Sequence, residues 1–233
     1  MAGYTPDLAY IHDAGFGDLA RAAAGEVIRM LRARGIRDGL VVELGCGSGI
    51  GAAELVRAGY DVLGVDISPA MIRLARANAP GARFVTGSLL RVKLPRCRAI
   101  TAIGECVNYA FDPATRRAEL VRLFRRIWEA LEPDGVLVFD FAEPGSISGS
   151  KHIEGEGWAV LVDATEDRRR IVSFRRVGKL YRCTEETHVL RLYRAAEVAA
   201  ELRRIGFRAR IFRSYGKLRL RTGCAGIVAT KPR

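Results

Sequence analysis

Residues 40–66 read LVVELGCGSGIGAAELVRAGYDVLGVD. The opening LVVEL, residues 40–44, is short and apolar, as expected of a strand buried on both faces of a parallel sheet. Glycines then alternate at Gly45, Gly47 and Gly49 in a turn reaching Gly51, Ala52 to Ala58 continue as helix, and DVLGVD, 61–66, forms a second strand. Glycine admits positive φ and removes the side chain that would hold a ligand away from the backbone. Such a turn sits at the carboxyl end of the first strand, where open α/β sheets bind ligands. Asp66, 17 residues after Gly49 at the end of the second strand, can accept two hydrogen bonds from a ribose diol. The plainer alternative is a tight turn with a helix-capping aspartate.

The choice of nucleotide turns on one charge. A dinucleotide turn requires G-x-G-x-x-G; Gly45 and Gly47 fit, but the third position is Ile50. The pattern is instead E-x-G-x-G-x-G from Glu43 to Gly49, with the acid still inside the strand end. A carboxylate there repels a pyrophosphate and suits a ligand bearing an ammonium group. That favours S-adenosylmethionine over NAD.

Outward from this stretch, strand-like and helix-like segments alternate, which predicts a mostly parallel sheet covered on both faces. Residues 17–34 space Leu19, Ala23, Val27, Met30 and Leu31 along one helix face, and Gly35 ends that helix. Ser68 and Pro69 form an N-cap and first helical position. Further strands are expected at 82–86, 98–104 and 136–141, with a helix over 113–131 and a turn at Pro133 to Gly135. After Pro144 the rhythm changes. The Gly/Ser-rich stretch 145–157 reads as a mobile loop. Segments 158–165, 170–177 and 180–192 have period-2 character and predict an antiparallel meander, inserted within one domain. A helix at 195–205 and strands near 207–213 and 217–229 complete the chain.

With 233 residues, 49% of them hydrophobic, the chain suits one packed domain. No apolar run approaches the ~20 residues of a membrane span, and residues 1–13 show no secretory pattern. Cys46, Cys97, Cys106, Cys183 and Cys224 are scattered without a C-x-x-C pair, which points to a reduced, cytoplasmic protein with no zinc site; carboxylates could still hold a metal, but nothing in their spacing asks for one. The net charge of +12 is uneven: residues 1–167 hold 19 basic and 22 acidic side chains, net −3, and residues 168–233 hold 19 and 4, net +15. A solvated basic surface is the simpler reading, with an anionic partner as the alternative.

VVELGCGSG followed by LGVDISPAMIRLARANA resembles the first motif and following acidic loop of class I S-adenosylmethionine-dependent methyltransferases of the small-molecule type. LEPDGVLVFDF resembles their fifth strand and its preceding turn. The likeness covers roughly residues 38–141. It implies a doubly wound, seven-stranded, mostly parallel α/β sheet with an antiparallel β insertion after strand five. It also implies S-adenosylmethionine as cofactor, held by Glu43, Gly45, Cys46, Gly47 and Asp66, with Ile67 and Met71 beside the adenine. The family's acid after strand three is replaced by Ser88 here, and Leu89 is expected nearby. Residues 1–35, with Tyr4, Tyr10, His12, Asp13 and Phe16, are expected to fold over the cofactor as a helical lid, and residues 145–193 to roof the acceptor pocket.

Methyl transfer from a sulfonium is an in-line displacement, so the protein must mainly align the partners and exclude water. A general base helps only an acceptor whose proton has a high pKa. Glu105, Asn108 and Tyr109, in GECVNYAFD after the fourth strand, are candidates for cofactor or acceptor contacts. Along 180–192, Arg182, Glu186 and His188 share one face, predicting an Arg-Glu-His cluster on the acceptor pocket. His188, His12 and Glu105 are the catalytic candidates. Two rivals stand beside a small-molecule methyltransferase. One is an RNA methyltransferase carrying a phosphate stripe of Lys217, Arg219, Arg221, Arg208 and Arg210. The other is a non-catalytic S-adenosylmethionine-binding protein.

Overall fold

The computed structural model describes residues 3–145 and 148–233. Its elements are α1 (Pro6–Gly15), α2 (Asp18–Arg32), β1 (Leu40–Leu44), α3 (Ile50–Arg57), β2 (Asp61–Asp66), α4 (Pro69–Asn78), β3 (Arg83–Thr86), β4 (Cys97–Ala102), α5 (Arg117–Ala130) and β5 (Leu131–Ala142). They continue through β6 (Gly149–Gly155), β7 (Trp158–Thr165), β8 (Arg168–Val177), β9 (Leu180–Val189), α6 (Ala195–Ile205), β10 (Arg208–Phe212), β11 (Ser214–Tyr215), β12 (Leu218–Arg219) and β13 (Cys224–Thr230).

Seven strands form the main sheet in the order β10-β13-β5-β4-β1-β2-β3. Strands β1 to β5 run parallel, and β13 lies antiparallel between β5 and β10. Alternate residues of the central strands supply opposite faces. Val42, Leu44, Ile100, Leu137 and Phe139 meet Leu120, Leu123, Phe124 and Ile127 of α5 and Leu202 of α6. Val41, Ala99, Val136 and Val138 meet Val27 and Leu31 of α2 and Leu55 of α3. This is the doubly wound α/β fold. Chain order reverses between β1 and β4, so their carboxyl ends open a crevice at the point where such sheets bind ligands.

Two departures from the expected elements have clear causes. Part of the Gly/Ser-rich stretch is strand β6, because its backbone pairs along β7 from Gly149↔Ala164 to Gly155↔Trp158; residues 146 and 147 lie outside the described residues. The meander is therefore a four-stranded sheet, β6-β7-β8-β9. The last stretch does not run as one strand from 217. Ser214–Tyr215 and Leu218–Arg219 form a short hairpin, and β13 begins only at Cys224.

Helix α1 connects the two sheets. Its Leu8 and Ile11 pack against Trp158, Val160 and Ile171 of the meander, and its Ala9 packs against Ala70 and Met71 of α4. Among the described residues, no helix is long and apolar enough to cross a membrane.

Candidate active site

The turn after β1 takes the backbone path that its glycines allow. Gly45, Gly47 and Gly49 have φ of 73°, 54° and 80°, and α3 starts at Ile50, earlier than its sequence suggests. A Cβ at Gly45 would stand 2.3 Å from Cys106 Sγ, whereas one at Gly47 would meet nothing within 4 Å. Gly47 thus leaves bare backbone open to the crevice. The Gly47 N–H donates to Asp66 Oδ2 at 2.9 Å, and the Ser68 N–H donates to Asp66 Oδ1 at 2.8 Å. Those amides fix the carboxylate, and each oxygen keeps a further lone pair for a ligand hydroxyl.

Glu43 is the electrostatic feature of the site. Its side chain is buried against the first turn of α3, where a Cβ on Gly51 would lie 2.6 Å from Oε1. Its Oε2 is buried and has no hydrogen-bond partner among the described residues. Burial pushes its pKa up to about 8, since a carboxylate removed from water resists ionisation. An ammonium group would supply the missing donor and the countercharge together. The residues present therefore fit a nucleoside that carries both a ribose and a cationic end.

One continuous crevice is lined by Glu43, Gly45, Cys46, Gly47, Asp66, Ile67, Met71, Ser88, Leu89 and Tyr109, all expected from the sequence. Tyr4, His12, Phe16, Cys106 and Phe111 line it too. Their rings interlock: Tyr109 stacks on Phe111 at 5.0 Å, His12 stacks on Phe16 at 5.7 Å, and Tyr4 meets both His12 and Tyr109 edge-on. His12 keeps Nδ1 without a partner among the described residues, and burial lowers its pKa to about 4.

Other expected residues are placed elsewhere. Tyr10 turns outward, 37% exposed, under the Arg175 guanidinium. Glu105 is buried behind the crevice wall, gripped by Arg169 at 2.5 Å and by Arg221. Two guanidiniums hold its carboxyl below the usual range despite its burial. Asn108 is fully buried: its Nδ2 donates to Ala142 O and Arg191 O, and its Oδ1 accepts from the Ala142 N–H. It stitches the loop after β4 to β5 and to the chain leaving β9. The expected Arg-Glu-His cluster divides. Arg182 swings out to pair with Asp7 at 3.3 Å, while His188 Nε2 and Glu186 Oε2 meet at 3.0 Å. His188 stands behind Tyr4, stacked on its ring at 5.1 Å.

Asp140 and Arg169 are absent from the expected set. Asp140 accepts from the Gly104 and Glu105 N–H groups and from the Tyr215 hydroxyl, and so holds Glu105 at a φ of 62°. Burial raises its pKa to about 6. An aspartate inside the apolar run VLVFDF is a legible signal, because a buried acid needs donors. Arg169 offers none, lying among several arginines at the start of β8.

Residues 41–135 match the methyltransferase domain family. A protein from Geobacillus sp. (strain WCH70) named as a methyltransferase is 32% identical over 103 residues, covering 43% of this chain and 41% of its own length. The chain thus spans less than half the length of the curated relatives it matches. An S-adenosylmethionine-dependent methyltransferase from Clostridium acetobutylicum superposes with a TM-score of 0.80 at 17% identity, over 97% of this chain and 98% of the other. The sugar N-methyltransferase KedS8 from Streptoalloteichus sp. superposes with a TM-score of 0.78 at 24% identity, over 100% and 95% of the two chains. Residues 41–135 thus match a methyltransferase domain, and the chain over its full length has the fold of S-adenosylmethionine-dependent methyltransferases.

Proposed function

We propose that the protein transfers a methyl group from S-adenosylmethionine to a small-molecule acceptor. The observation that carries this reading is the buried carboxylate of Glu43, its Oε2 without a partner among the described residues, beside the bare turn at Gly47, with Asp66 17 residues beyond Gly49. Glu43 would take the ammonium group, Asp66 the ribose hydroxyls, and Ile67, Met71, Ser88 and Leu89 the adenine surroundings. When bound, the cofactor supplies a methyl group on a cationic sulfur whose leaving group is neutral. The rest falls to the chain's own residues. Tyr4, His12, Phe16, Tyr109 and Phe111 form an aromatic wall that would exclude water and align the acceptor.

Of the three catalytic candidates, His12 is the one on the crevice. Its lowered pKa keeps it neutral, so it would accept a hydrogen bond from the acceptor N–H or O–H and orient it. Glu105, with both oxygens held by arginine, would shape the wall, and His188 would act through Tyr4. The sugar N-methyltransferase among the structural relatives supports a small acceptor.

The test is formation of S-adenosylhomocysteine by the purified chain with S-adenosylmethionine and a panel of small amines, amino sugars and phenols. Acceptor-dependent product is expected. Tight cofactor binding without turnover across the panel would overturn transfer and assign a binding protein.

A further inference from the structure

Glu186 joins two parts of the molecule that have no covalent reason to move together. It lies on β9, with a side chain only 9% exposed. Its Oε1 accepts from both the backbone N–H and the hydroxyl of Thr5, at 3.2 and 2.5 Å. Its Oε2 faces His188 Nε2 at 3.0 Å. Thr5 is the N-cap residue of α1, yet its hydroxyl makes no cap within its own helix. A carboxylate from the meander instead stands at that helix end, where negative charge is favoured.

The neighbouring residue extends the connection. Tyr4 stacks on His188, its carbonyl accepts from Ser68 Oγ at 2.8 Å, and the Ser68 N–H donates to Asp66. A hydrogen-bonded and stacked path thus runs from the acid at the end of β2, over the crevice, to the β9 side of the aromatic wall.

We propose that Glu186 is a positioning residue that fastens residues 4–15 over the crevice and sets the ring state of His188 beneath Tyr4. A carboxylate oxygen can only accept, so Nε2 of His188 is a donor and Nδ1 is the ring nitrogen left over. That Nδ1 is buried with no partner among the described residues. Only a group accepting at both ends serves Thr5 and an Nε2-protonated His188 together. Glutamine has one accepting end and one donating end, so Glu186→Gln can keep both links only by moving the His188 proton from Nε2 to Nδ1, and it loses the charge in either case. The inference rests on the methyl-transfer reading only for its kinetic consequence, faster release of the cofactor.

The experiment uses the full chain and two independent readouts. Hydrogen exchange of residues 5–15 without ligand should rise about tenfold or more in Glu186→Ala, the scale expected on losing hydrogen bonds to a charged acceptor, while β1 and β4 stay protected. Glu186→Gln should give an intermediate rise, and 15N shifts of His188 should report Nε2–H in the wild type and a changed proton distribution in the alanine variant. The dissociation rate of S-adenosylmethionine should increase in the same order. Should Glu186→Ala fail to fold, Thr5→Val, which removes only the hydroxyl link, should still loosen residues 5–15. Unchanged exchange and an unchanged His188 ring state would overturn the assignment. Failure of S-adenosylmethionine to bind would count against the methyl-transfer reading and leave the exchange result to decide this one.

Discussion

Glu43 binds a proton more tightly in the folded chain than in the unfolded one, with a pKa moved from 4.5 to about 8 by burial. The native state therefore holds more protons between those values, and this group's contribution to stability falls as pH rises through that window. Glu43→Gln removes the titration. The ligand-free variant should gain melting temperature relative to wild type as pH goes from 5 to 9, and bind S-adenosylmethionine about 10–100-fold more weakly, in keeping with loss of a charge-assisted hydrogen bond. A constant gap between the two melting curves would contradict the raised pKa. Glu105 behaves oppositely. Glu105→Ala would strand the Arg169 guanidinium, whose side chain is 10% exposed. Breaking such a buried pair costs about 3–5 kcal/mol, to be read by urea unfolding. Tyr4, which caps His188 from the crevice side, shows what single residues conceal in the sequence. Alternation on β9 put Glu186 and His188 on one face, but nothing local says that a ring from the far end of the chain stands in front of them.

The turn between β1 and α3 is the element on which binding rests. At Gly51, an alanine Cβ would press on Glu43 Oε1, which is not a free chain end but is wedged in the interior. Gly51→Ala should keep the fold and lose cofactor affinity, measured by calorimetry; unaltered affinity would remove Glu43 from the ligand's contacts. In α1, Ile11→Ala opens a cavity against the meander, where Ile11 is fully buried. A loss of about 2–5 kcal/mol is expected, with a matching rise in hydrogen exchange along β7 and β8. Legibility at this scale followed the strength of local signals. The apolar run LVVEL, the DVLGVD strand and the 195–205 helix coincide with β1, β2 and α6, and Ser68 accepts the Met71 N–H as the Ser-Pro pair predicts. Strand β6 escaped because GSKHIEG has no apolar alternation; its conformation comes from pairing with β7. The late start of β13 escaped because basic residues 217–221 look extended but turn back as a hairpin.

Across the whole molecule, the uneven charge resolves into pairs between the two halves. Arg169 and Arg221 meet Glu105, Arg175 and Arg182 meet Asp7, Arg213 meets Glu143, and Arg233 meets Asp134. The basic C-terminal part is thus partly a countercharge for acids of the first half. The phosphate stripe also loses its regularity, since β12 spans only Leu218–Arg219 and Arg221 is engaged with Glu105. Filter binding at about 150 mM salt should show no specific RNA affinity; retention of a defined RNA at that salt would revive the nucleic-acid reading. The most direct test of the account is calorimetric titration of S-adenosylmethionine into the wild-type chain at pH 7 in two buffers of different ionisation enthalpy. Glu43, mostly protonated before binding, must ionise to meet the ammonium group, so binding should release close to one proton. Glu43→Gln should release none. A binding enthalpy independent of buffer, or heat on adding NADH and none with the sulfonium compound, would contradict it.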